Sequence, residues 1–295
     1  MGRRYPLRVD DQRDFAADFE GRVFVWDIDK TYLATGFSSL KGLSRIPVEF
    51  AVDKRAIPGM PEVLRGLRRG PGPGFACAPL YFVSASPPQM RRVLQRKMLL
   101  DGVEYDGIIF KDWVGVLTGL KPGRLKQQAG FKLCALLTGR QRRPRSRELL
   151  FGDDVEQDAE AFDLYARLVS GEVEGDAAEE AMTEVGIADD DRACIRDLLA
   201  STSPGTGDVE RIFIHLERGT SPTYFERFGR RVVPVQGAVQ LALALYGLDL
   251  VQAESVQQVC DAVIAELPRV DIDGLVEDAV DRGLVDQGRV AQVGW

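Results

Sequence analysis

The sequence predicts an α/β fold in which helices lie on both faces of a parallel, doubly wound sheet, and three observations predict it. Short apolar runs of strand length alternate with amphipathic segments of helix length. Several of these runs end abruptly at Asp or Ser, as expected where parallel strands bring polar groups to a ligand site at their carboxyl ends. The 295 residues are 45% hydrophobic and 28% charged, which is typical of a globular protein with a sizeable core. This composition excludes a disordered tail, a collagen-like chain and a disulfide-stapled mini-protein.

The elements are predicted from local residue patterns. Strands are expected where β-branched and aromatic residues form a short apolar run, over residues 22–26, 79–83, 105–110, 148–151 and 209–216. Helices are expected where apolar residues recur with helical spacing, over residues 61–69, 88–100, 125–137 and 158–169. Gly171 is expected to end the last of these helices, because glycine is common just past a helix end. The strand over 209–216 is expected to complete the sheet.

Changes of composition along the chain predict its organisation. Residues 1–235 are expected to form the α/β domain, with an acidic helical insertion at about 172–208, and residues 236–295 a helical C-terminal extension. The first 150 residues carry 27 Lys and Arg against 15 Asp and Glu, a net charge of +12. Residues 151–295 carry 11 against 30, a net charge of −19. A basic half suits a site for anionic substrates. The acidic insertion is interpreted as solvated helices, with a partner surface as the alternative.

Several classes of protein are excluded by features that the sequence lacks. No apolar run approaches the roughly 20 residues of a membrane helix, and residues 1–15 hold no apolar signal core. Four cysteines without metal spacing and a single histidine, His215, argue against zinc and iron sites. Five arginines cluster in residues 139–147, but such runs are more often solvated loops, and no nucleic-acid motif accompanies them. We therefore expect a cytoplasmic protein without a transmembrane segment, for which nucleic acid ranks low as a partner.

The strongest cluster of functional residues begins in the stretch DIDKT, directly after the first predicted strand. In an extended turn, Asp27 and Asp29 can face one cavity while Thr31 lies on the loop beyond. Two close carboxylates repel each other unless a cation or a shared proton relieves them, and oxygen ligands favour Mg²⁺. A calcium loop does not fit, because its sixth position requires Gly and holds Tyr32 here. The alternative is an ordinary surface turn, where aspartate is common.

Further polar residues follow in the order of the predicted strands. Ser84 follows the run PLYFV, Lys132 lies near the start of a helix, and the stretch GDDVEQD follows the strand that ends in ELLF. Each has a simpler structural explanation by itself. Ser84 and the aspartates could cap helices, and Lys132 could be a solvated helix residue. Their combination and order nevertheless indicate a single site at the carboxyl edge of the sheet.

Taken in order, these parts resemble the motifs of the haloacid dehalogenase (HAD) superfamily: a strand with DxDxT, a strand with Ser, a Lys, and a strand with GDD and a further Asp. The resemblance covers roughly residues 20–170, and Asp29 marks the phosphohydrolase branch. A closer likeness is to the catalytic domain of the actin-patch type of phosphatidate phosphatase and its bacterial relatives. It is carried by DIDKT, IPGM, YFVSASP, FKDW and GDDVEQD. The chain departs from those relatives at Lys30, where they usually have an acidic residue, and at Asp154, where they have a small one.

The resemblance implies a HAD-like Rossmannoid fold and a role for each site residue. Asp27 would attack phosphorus to form an aspartyl-phosphate, and Asp29 would act as general acid and then as general base. The remaining roles are implied in two groups. Mg²⁺ would be held by Asp27, the Asp29 carbonyl and Asp153, with Asp158 in support and Asp154 as an alternative ligand. The phosphoryl oxygens would be held by Thr31, Ser84 and Lys132.

The substrate is expected to be a phosphomonoester. The stretch 32–55 is too short for a large folded lid, which predicts little or no cap and an open site. An open site suits a macromolecular or interfacial substrate, so a lipid phosphate at a membrane surface, such as phosphatidate, is the leading candidate. The alternatives are a polynucleotide-end or phosphoprotein phosphatase, and a catalytically inactive HAD-fold binding module.

Overall fold

The computed structural model of the chain describes residues 7–34, 54–86, 90–111, 128–202 and 207–295. Within these residues, seven strands form one sheet in the order β1-β4-β3-β2-β5-β6-β7. The strands are β1 (Leu7–Asp11), β2 (Arg22–Asp27), β3 (Leu80–Ser84), β4 (Gly107–Lys111), β5 (Arg147–Asp153), β6 (Asp208–His215) and β7 (Val232–Val235). Strand β1 runs antiparallel to β4, and all other neighbouring pairs are parallel. The fold is therefore α/β with a mostly parallel sheet.

The five strands predicted from apolar runs are confirmed, but the expectation that the last of them completes the sheet is wrong. Strand β7 pairs with β6, with Ile212 opposite Val232, and β1 adds an antiparallel edge beside β4. Both edge strands are short, and β1 reads LRVDD while β7 contains Pro234. Charged residues and proline are typical of edge strands, where they discourage pairing with other chains. Because of these residues, neither edge strand forms an apolar run, so a search for apolar runs does not find them.

The helices alternate with the strands in the first part of the chain and follow one another in the last. They are α1 (Met60–Arg69), α2 (Arg91–Leu100), α3 (Ala129–Gln141), α4 (Asp158–Ser170), α5 (Gly175–Glu184), α6 (Asp189–Ala200), α7 (Gly237–Gly247), α8 (Ala253–Glu266), α9 (Ile272–Asp281) and α10 (Gln287–Val293). Gly171 ends α4 in the left-handed conformation, as predicted. The predicted start of α3 at residue 125 lies outside the described residues. Of the helices described, none has the length and apolar character of a membrane span.

Two hydrophobic cores lie on opposite faces of the sheet. In β2, Phe24 and Trp26 belong to one core, while Val23 and Val25 belong to the other, because successive side chains of a strand alternate between faces. The first core is covered by α1, α2 and the C-terminal helices, and the second by α3 to α6. Because both faces are buried, the central strands are continuously apolar rather than alternating.

The two described helices of the acidic stretch 172–208 pack against the second core along one side. Helices α5 and α6 bury apolar side chains there, including Met182 and Ile195. A side chain at Gly130 in α3 would meet the Asp191 side chain, with the two β-carbons 2.8 Å apart. This close approach lets α6 lie directly on α3. The acidic residues on the outer sides of these two helices remain exposed.

The cluster of five arginines is not a solvated loop. Arg140 and Arg143 are buried, and Arg140 donates to Glu148 over 2.8 Å. The other three arginines of residues 139–147 also pair with carboxylates, as Arg142 with Asp11, Arg145 with Glu20 and Arg147 with Glu210. Two buried guanidinium groups need a buried partner, because an unpaired charge is very costly away from water. The sequence pattern does not reveal the pairing of these arginines with Glu148, since Glu148 lies in a predicted strand.

Candidate active site

The site lies at the carboxyl edge of the sheet, between β2 and β5. From β2, the next strands along the chain, β3 and β4, are added on one side, whereas β5, β6 and β7 are added on the other. The strand order therefore reverses at the β2–β5 pair. Trp26 lies opposite Phe151 in that pair, and the two strands end at Asp27 and Asp153. Ligands in open α/β sheets bind at such a point, because the loops on either side part and leave a crevice.

The turn after β2 is held by backbone hydrogen bonds. The amides of Tyr32 and Leu33 donate to the carbonyl of Ile28 over 3.0 and 2.9 Å. Lys30 adopts a left-handed conformation with φ of 67°, and its carbonyl lies 2.9 Å from Nδ1 of His215 at the end of β6. This turn keeps Asp27, Asp29 and Thr31 buried at the edge of the sheet.

The turn after β5 is organised by two of its own aspartates. Oδ1 of Asp153 accepts from the amides of Val155 and Glu156 over 2.6 and 2.9 Å. Asp158, the first residue of α4, accepts from the Asp153 amide over 3.1 Å. A side chain at Gly152 would lie 2.6 Å from the β-carbon of Asp158, so this position requires glycine for the close approach.

These two turns and α3 bring together four carboxyl groups and one ammonium group. One oxygen from each of Asp27, Asp153, Glu156 and Asp158 lies within 4.8 Å of the others, and we call these four residues the acidic cluster. Nζ of Lys132, in the first turn of α3, lies 3.0 Å from Oδ1 of Asp27 and 2.8 Å from Oε2 of Glu156, and it also contacts Asp158. The acidic cluster therefore holds more negative charge than its one lysine neutralises.

Burial and mutual repulsion shift the protonation of this group. Burial, together with the Asp158 carboxylate, raises the pKa of Asp153 to about 8. Burial also raises the pKa of Asp158 to about 6 against the opposing charge of Lys132, and it raises the pKa of Asp27 well above its usual range. Burial alone would lower the pKa of Lys132, but the carboxylates of Asp158 and Asp27 outweigh it and hold that pKa above its usual value. At neutral pH the cluster therefore favours binding a proton or a cation.

Unpartnered oxygens in the site are compatible with a bound cation. Oδ2 of Asp27, Oδ2 of Asp153, Oδ1 of Asp29 and the hydroxyl of Thr31 are buried without a hydrogen-bond partner among the described residues. Buried polar atoms are normally paired, so these atoms indicate a bound group. All the donors are oxygens, with neither cysteine nor histidine in the cluster. This donor set suits Mg²⁺ rather than zinc or copper.

Asp29 lies next to the acidic cluster but has its own partners. Oδ2 of Asp29 accepts a hydrogen bond from the Ser86 hydroxyl over 2.8 Å. Burial raises the pKa of Asp29 to about 7, with the Glu156 charge adding to the rise and the charges of Lys132 and Lys54 opposing it. The carboxyl group of Asp29 is therefore close to half-protonated at neutral pH, unlike an ordinary surface aspartate.

The structure places Asp154 away from the acidic cluster. Its carboxylate accepts from the amides of Arg218 and Thr220 over 2.8 and 3.0 Å, and its amide donates to the carbonyl of His215. Asp154 thus braces the loop that follows β6. The carboxylate that turns toward Lys132 instead is that of Glu156.

Sequence reasoning missed three side chains at the site, which are Lys54, Ser86 and Glu156. Glu156 stands two residues before Asp158 in GDDVEQD, and Ser86 two residues after Ser84 in YFVSASP, so both lay inside recognised motifs. Lys54 is buried and acts on Asp29 through its charge, but it lies in no motif. The last residue of YFVSASP and the last two of FKDW lie outside the described residues.

Comparison with known proteins identifies a family for this chain. A family model described as "Phosphatidate phosphatase APP1, catalytic domain" matches residues 22–175, just over half of the chain. The match begins at β2 and ends just after α4, so it contains both turns and the lysine of the site. No curated protein and no solved structure matches the chain. On the strength of the family match, the chain belongs to the family of the phosphatidate phosphatase APP1 catalytic domain.

Proposed function

We propose that this chain is a HAD-type, Mg²⁺-dependent phosphomonoester hydrolase that works through an aspartyl-phosphate and acts on a lipid phosphate such as phosphatidate. The observation that carries the proposal is the buried acidic cluster with its unpartnered oxygens, at the point where the strand order reverses. Such an excess of buried carboxyl groups destabilises a fold unless a ligand uses it. The family match supports phosphatase chemistry.

Asp27 is the proposed nucleophile. It ends β2, is buried, and has one oxygen bound to Lys132 while the other has no partner among the described residues. Attack of this carboxylate on phosphorus divides the hydrolysis into two easier displacements. Lys132 fixes the orientation of the carboxyl group, and its ammonium group also offsets charge on the phosphoryl oxygens.

Asp29 is the proposed proton carrier. Its pKa of about 7 lets it hold a proton for the departing alkoxide and later accept one from the attacking water. Both transfers require a carboxyl group that is close to the reacting atoms and shielded from solvent, and Asp29 is buried on the same turn as Asp27.

Asp27, Asp153 and the backbone carbonyl of Asp29 would hold Mg²⁺, with Glu156 and Asp158 beside them. When bound there, the ion supplies positive charge between the nucleophile and the anionic substrate. Thr31 and Ser84 are the proposed contacts to the phosphoryl oxygens, and both are buried at the same edge of the sheet. The Thr31 hydroxyl has no partner among the described residues, which leaves it available for a phosphoryl oxygen.

A lipid phosphate is favoured over a polynucleotide end by two findings. The family model is named for a phosphatidate phosphatase. The arginines of residues 139–147, which were the main basis for a nucleic-acid interpretation, are paired with carboxylates of this chain. They are therefore poorly suited to neutralise a phosphate backbone.

A panel of phosphate esters, assayed with Mg²⁺ and with excess chelator, tests the proposal. We expect hydrolysis of a generic aryl phosphate with Mg²⁺ and none with chelator, and faster turnover of phosphatidate in mixed micelles than of soluble glycerol phosphate. Better turnover of a 3′-phosphorylated oligonucleotide or a phosphopeptide would replace the lipid substrate by one of those. No turnover of any ester would leave a binding module as the function of the fold.

A further inference from the structure

Ser86 makes two hydrogen bonds that connect the residues proposed for proton transfer and for phosphate binding. Its hydroxyl donates to Oδ2 of Asp29 over 2.8 Å, and its amide donates to the hydroxyl oxygen of Ser84 over 3.1 Å. Ser86 is 2% exposed, so both bonds are shielded from water. A short turn after β3 thus reaches both functional groups at once.

The bond to Asp29 makes the two oxygens of that carboxyl group different. Oδ2 is occupied by the Ser86 hydroxyl, while Oδ1 is buried without a partner among the described residues. A carboxyl oxygen that accepts a hydrogen bond is the poorer place for the proton, because a proton there would face the hydroxyl hydrogen of Ser86. The proton of a neutral Asp29 therefore belongs on Oδ1.

We propose that Ser86 is a positioning residue that fixes the rotation of the Asp29 carboxyl group, so that Oδ1 alone exchanges protons with the reacting oxygen atoms. This inference rests on the proposed function. In the first step a bond forms between an Asp27 oxygen and phosphorus, the bond from phosphorus to the leaving oxygen breaks, and the proton on Oδ1 moves to that oxygen. The negative charge left on Asp29 is stabilised by the Ser86 hydroxyl at Oδ2.

The second step uses the same arrangement in reverse. Water attacks phosphorus, one of its protons moves to Oδ1 of Asp29, and the bond between phosphorus and Asp27 breaks. Because the Ser86 amide occupies a lone pair of the Ser84 oxygen, the hydroxyl hydrogen of Ser84 is directed elsewhere and is available to a phosphoryl oxygen. The turn therefore holds the proposed proton carrier, Asp29, at a fixed position relative to the proposed phosphate contact, Ser84.

The test compares Ser86→Ala with Ser86→Thr, which keeps the hydroxyl, through kcat/KM for two kinds of substrate in the 295-residue chain with Mg²⁺. One is an aryl phosphate with a good leaving group, which needs little protonation. The other is an alkyl phosphate ester, whose alkoxide needs a full proton. We expect Ser86→Ala to lower kcat/KM about 10–100-fold for the alkyl ester and less than about 3-fold for the aryl ester. Ser86→Thr should restore most of the loss.

Two controls separate this role from others. Ser84→Ala removes a proposed phosphate contact, so its loss should be similar for both esters, whereas Ser170→Ala, on the exposed end of α4, should change neither. An equal loss for both esters in Ser86→Ala, or no loss, would overturn the positioning role while leaving the proposed function intact. Failure of the wild-type protein to hydrolyse either ester would overturn the proposed function and this inference together.

Discussion

Asp27 and Asp29 stand two residues apart in one turn and have different surroundings. Asp27 contacts Lys132 and faces the other carboxylates of the acidic cluster, whereas Asp29 is hydrogen-bonded by Ser86. Two groups of the same chemical type thus acquire different neighbours. Such a division is what a site needs if one carboxylate is to be a nucleophile and the other a proton carrier.

Substitution of each aspartate should separate their roles. Asp27→Asn removes the proposed nucleophile, so neither turnover nor phosphoenzyme should be detectable. Asp29→Asn keeps the proposed nucleophile and loses the proposed proton carrier, and such a group is typically worth about 10²–10⁴ in rate. Rapid-quench trapping with an aryl phosphate should therefore show phosphoenzyme accumulating in Asp29→Asn and absent from Asp27→Asn. Turnover of a few per cent in a contamination-controlled Asp27→Asn preparation would disprove covalent catalysis at this residue.

Asp153 and Asp154 form a matched pair for testing which residue is the proposed metal ligand. Asp153 belongs to the acidic cluster, and Asp154 braces the loop after β6. We expect Asp153→Asn to raise the Mg²⁺ concentration for half-maximal activity by at least about 10–100-fold. Asp154→Asn should leave that concentration within about 2-fold and reduce stability by about 1–2 kcal/mol, because a loop amide loses its partner. Mg²⁺ titrations of activity give the first quantity and urea unfolding the second, and the reverse pattern would make Asp154 the ligand.

At the scale of elements, α3 connects two buried charged groups. Its first turn carries Lys132 into the candidate active site, and its last turn carries Arg140 to Glu148 at the start of β5. Tyr165 of α4 donates to the same oxygen of Glu148 over 2.5 Å. The buried group of Arg140, Arg143, Glu148 and Tyr165 thus joins α3, β5 and α4 at the edge of the sheet opposite the site.

Glu148→Gln tests how much this buried group contributes. The substitution leaves two buried guanidinium groups without a counter-charge, which should cost about 3–5 kcal/mol in the free energy of unfolding. The matched control is Glu210→Gln, which removes the carboxylate that pairs with Arg22 and Arg147 near the surface. Such partly exposed pairs contribute about 0–1 kcal/mol. Urea denaturation measures both, and equal losses would mean that burial does not decide the strength of these pairs.

At the scale of the whole molecule, the site makes the stability of the metal-free protein depend on pH. The pKa values of Asp158, Asp29 and Asp153 are about 6, about 7 and about 8, each above the ordinary aspartate value of 3.8. A raised folded-state pKa contributes stability that is complete below the unfolded pKa and is lost as pH rises through the folded pKa. The Tm of the chelated protein should therefore fall as the pH rises from about 4, near the unfolded pKa, to about 8, the highest of the three folded pKa values.

Mg²⁺ should oppose that fall, because it binds the deprotonated carboxylates and so stabilises the folded chain most at high pH. Thermal unfolding at several pH values, with chelator and with Mg²⁺, measures the effect. Asp153→Asn should flatten the pH dependence of the chelated protein, since it removes the carboxyl group with the highest pKa of the three. A Tm that rises with pH in chelator would contradict the assignment of these buried groups.

The C-terminal extension offers a test of how the molecule is assembled. We propose residues 1–235 as the catalytic domain and residues 236–295 as its extension, and α7 and α8 of the extension share a core with the sheet. Gly59 and Gly66 of the α1 region approach α8 so closely that a side chain would meet Val263 or Ser255. We therefore expect a chain ending at residue 235 to aggregate or to unfold without cooperativity, because it exposes that core. A cooperative thermal transition of the truncated chain would show that the extension is dispensable.

Much of the fold followed from local sequence. The alternation of apolar runs with helical patterns predicted the five central strands, because a strand buried on both faces must be apolar along its length. The aspartates of DIDKT and GDDVEQD could be placed at the carboxyl edge because the end of a strand fixes where its next residues lie. The edge strands β1 and β7 escaped detection, since edge strands carry charge and proline.

The sequence by itself determined that a group of acidic residues follows β2 and β5, and that a serine and a lysine accompany it. Only the tertiary structure decided which of these residues meet. Within GDDVEQD, Asp153 accepts hydrogen bonds from the amides of Val155 and Glu156, and the Glu156 carboxylate contacts Lys132. Asp154 instead binds the loop after β6. In the same way, only the tertiary structure brings the hydroxyl of Ser86 to Asp29, from 57 residues further along the chain. The physical reason is that burial and pairing depend on groups that are distant in sequence, whereas propensity and periodicity report only on near neighbours.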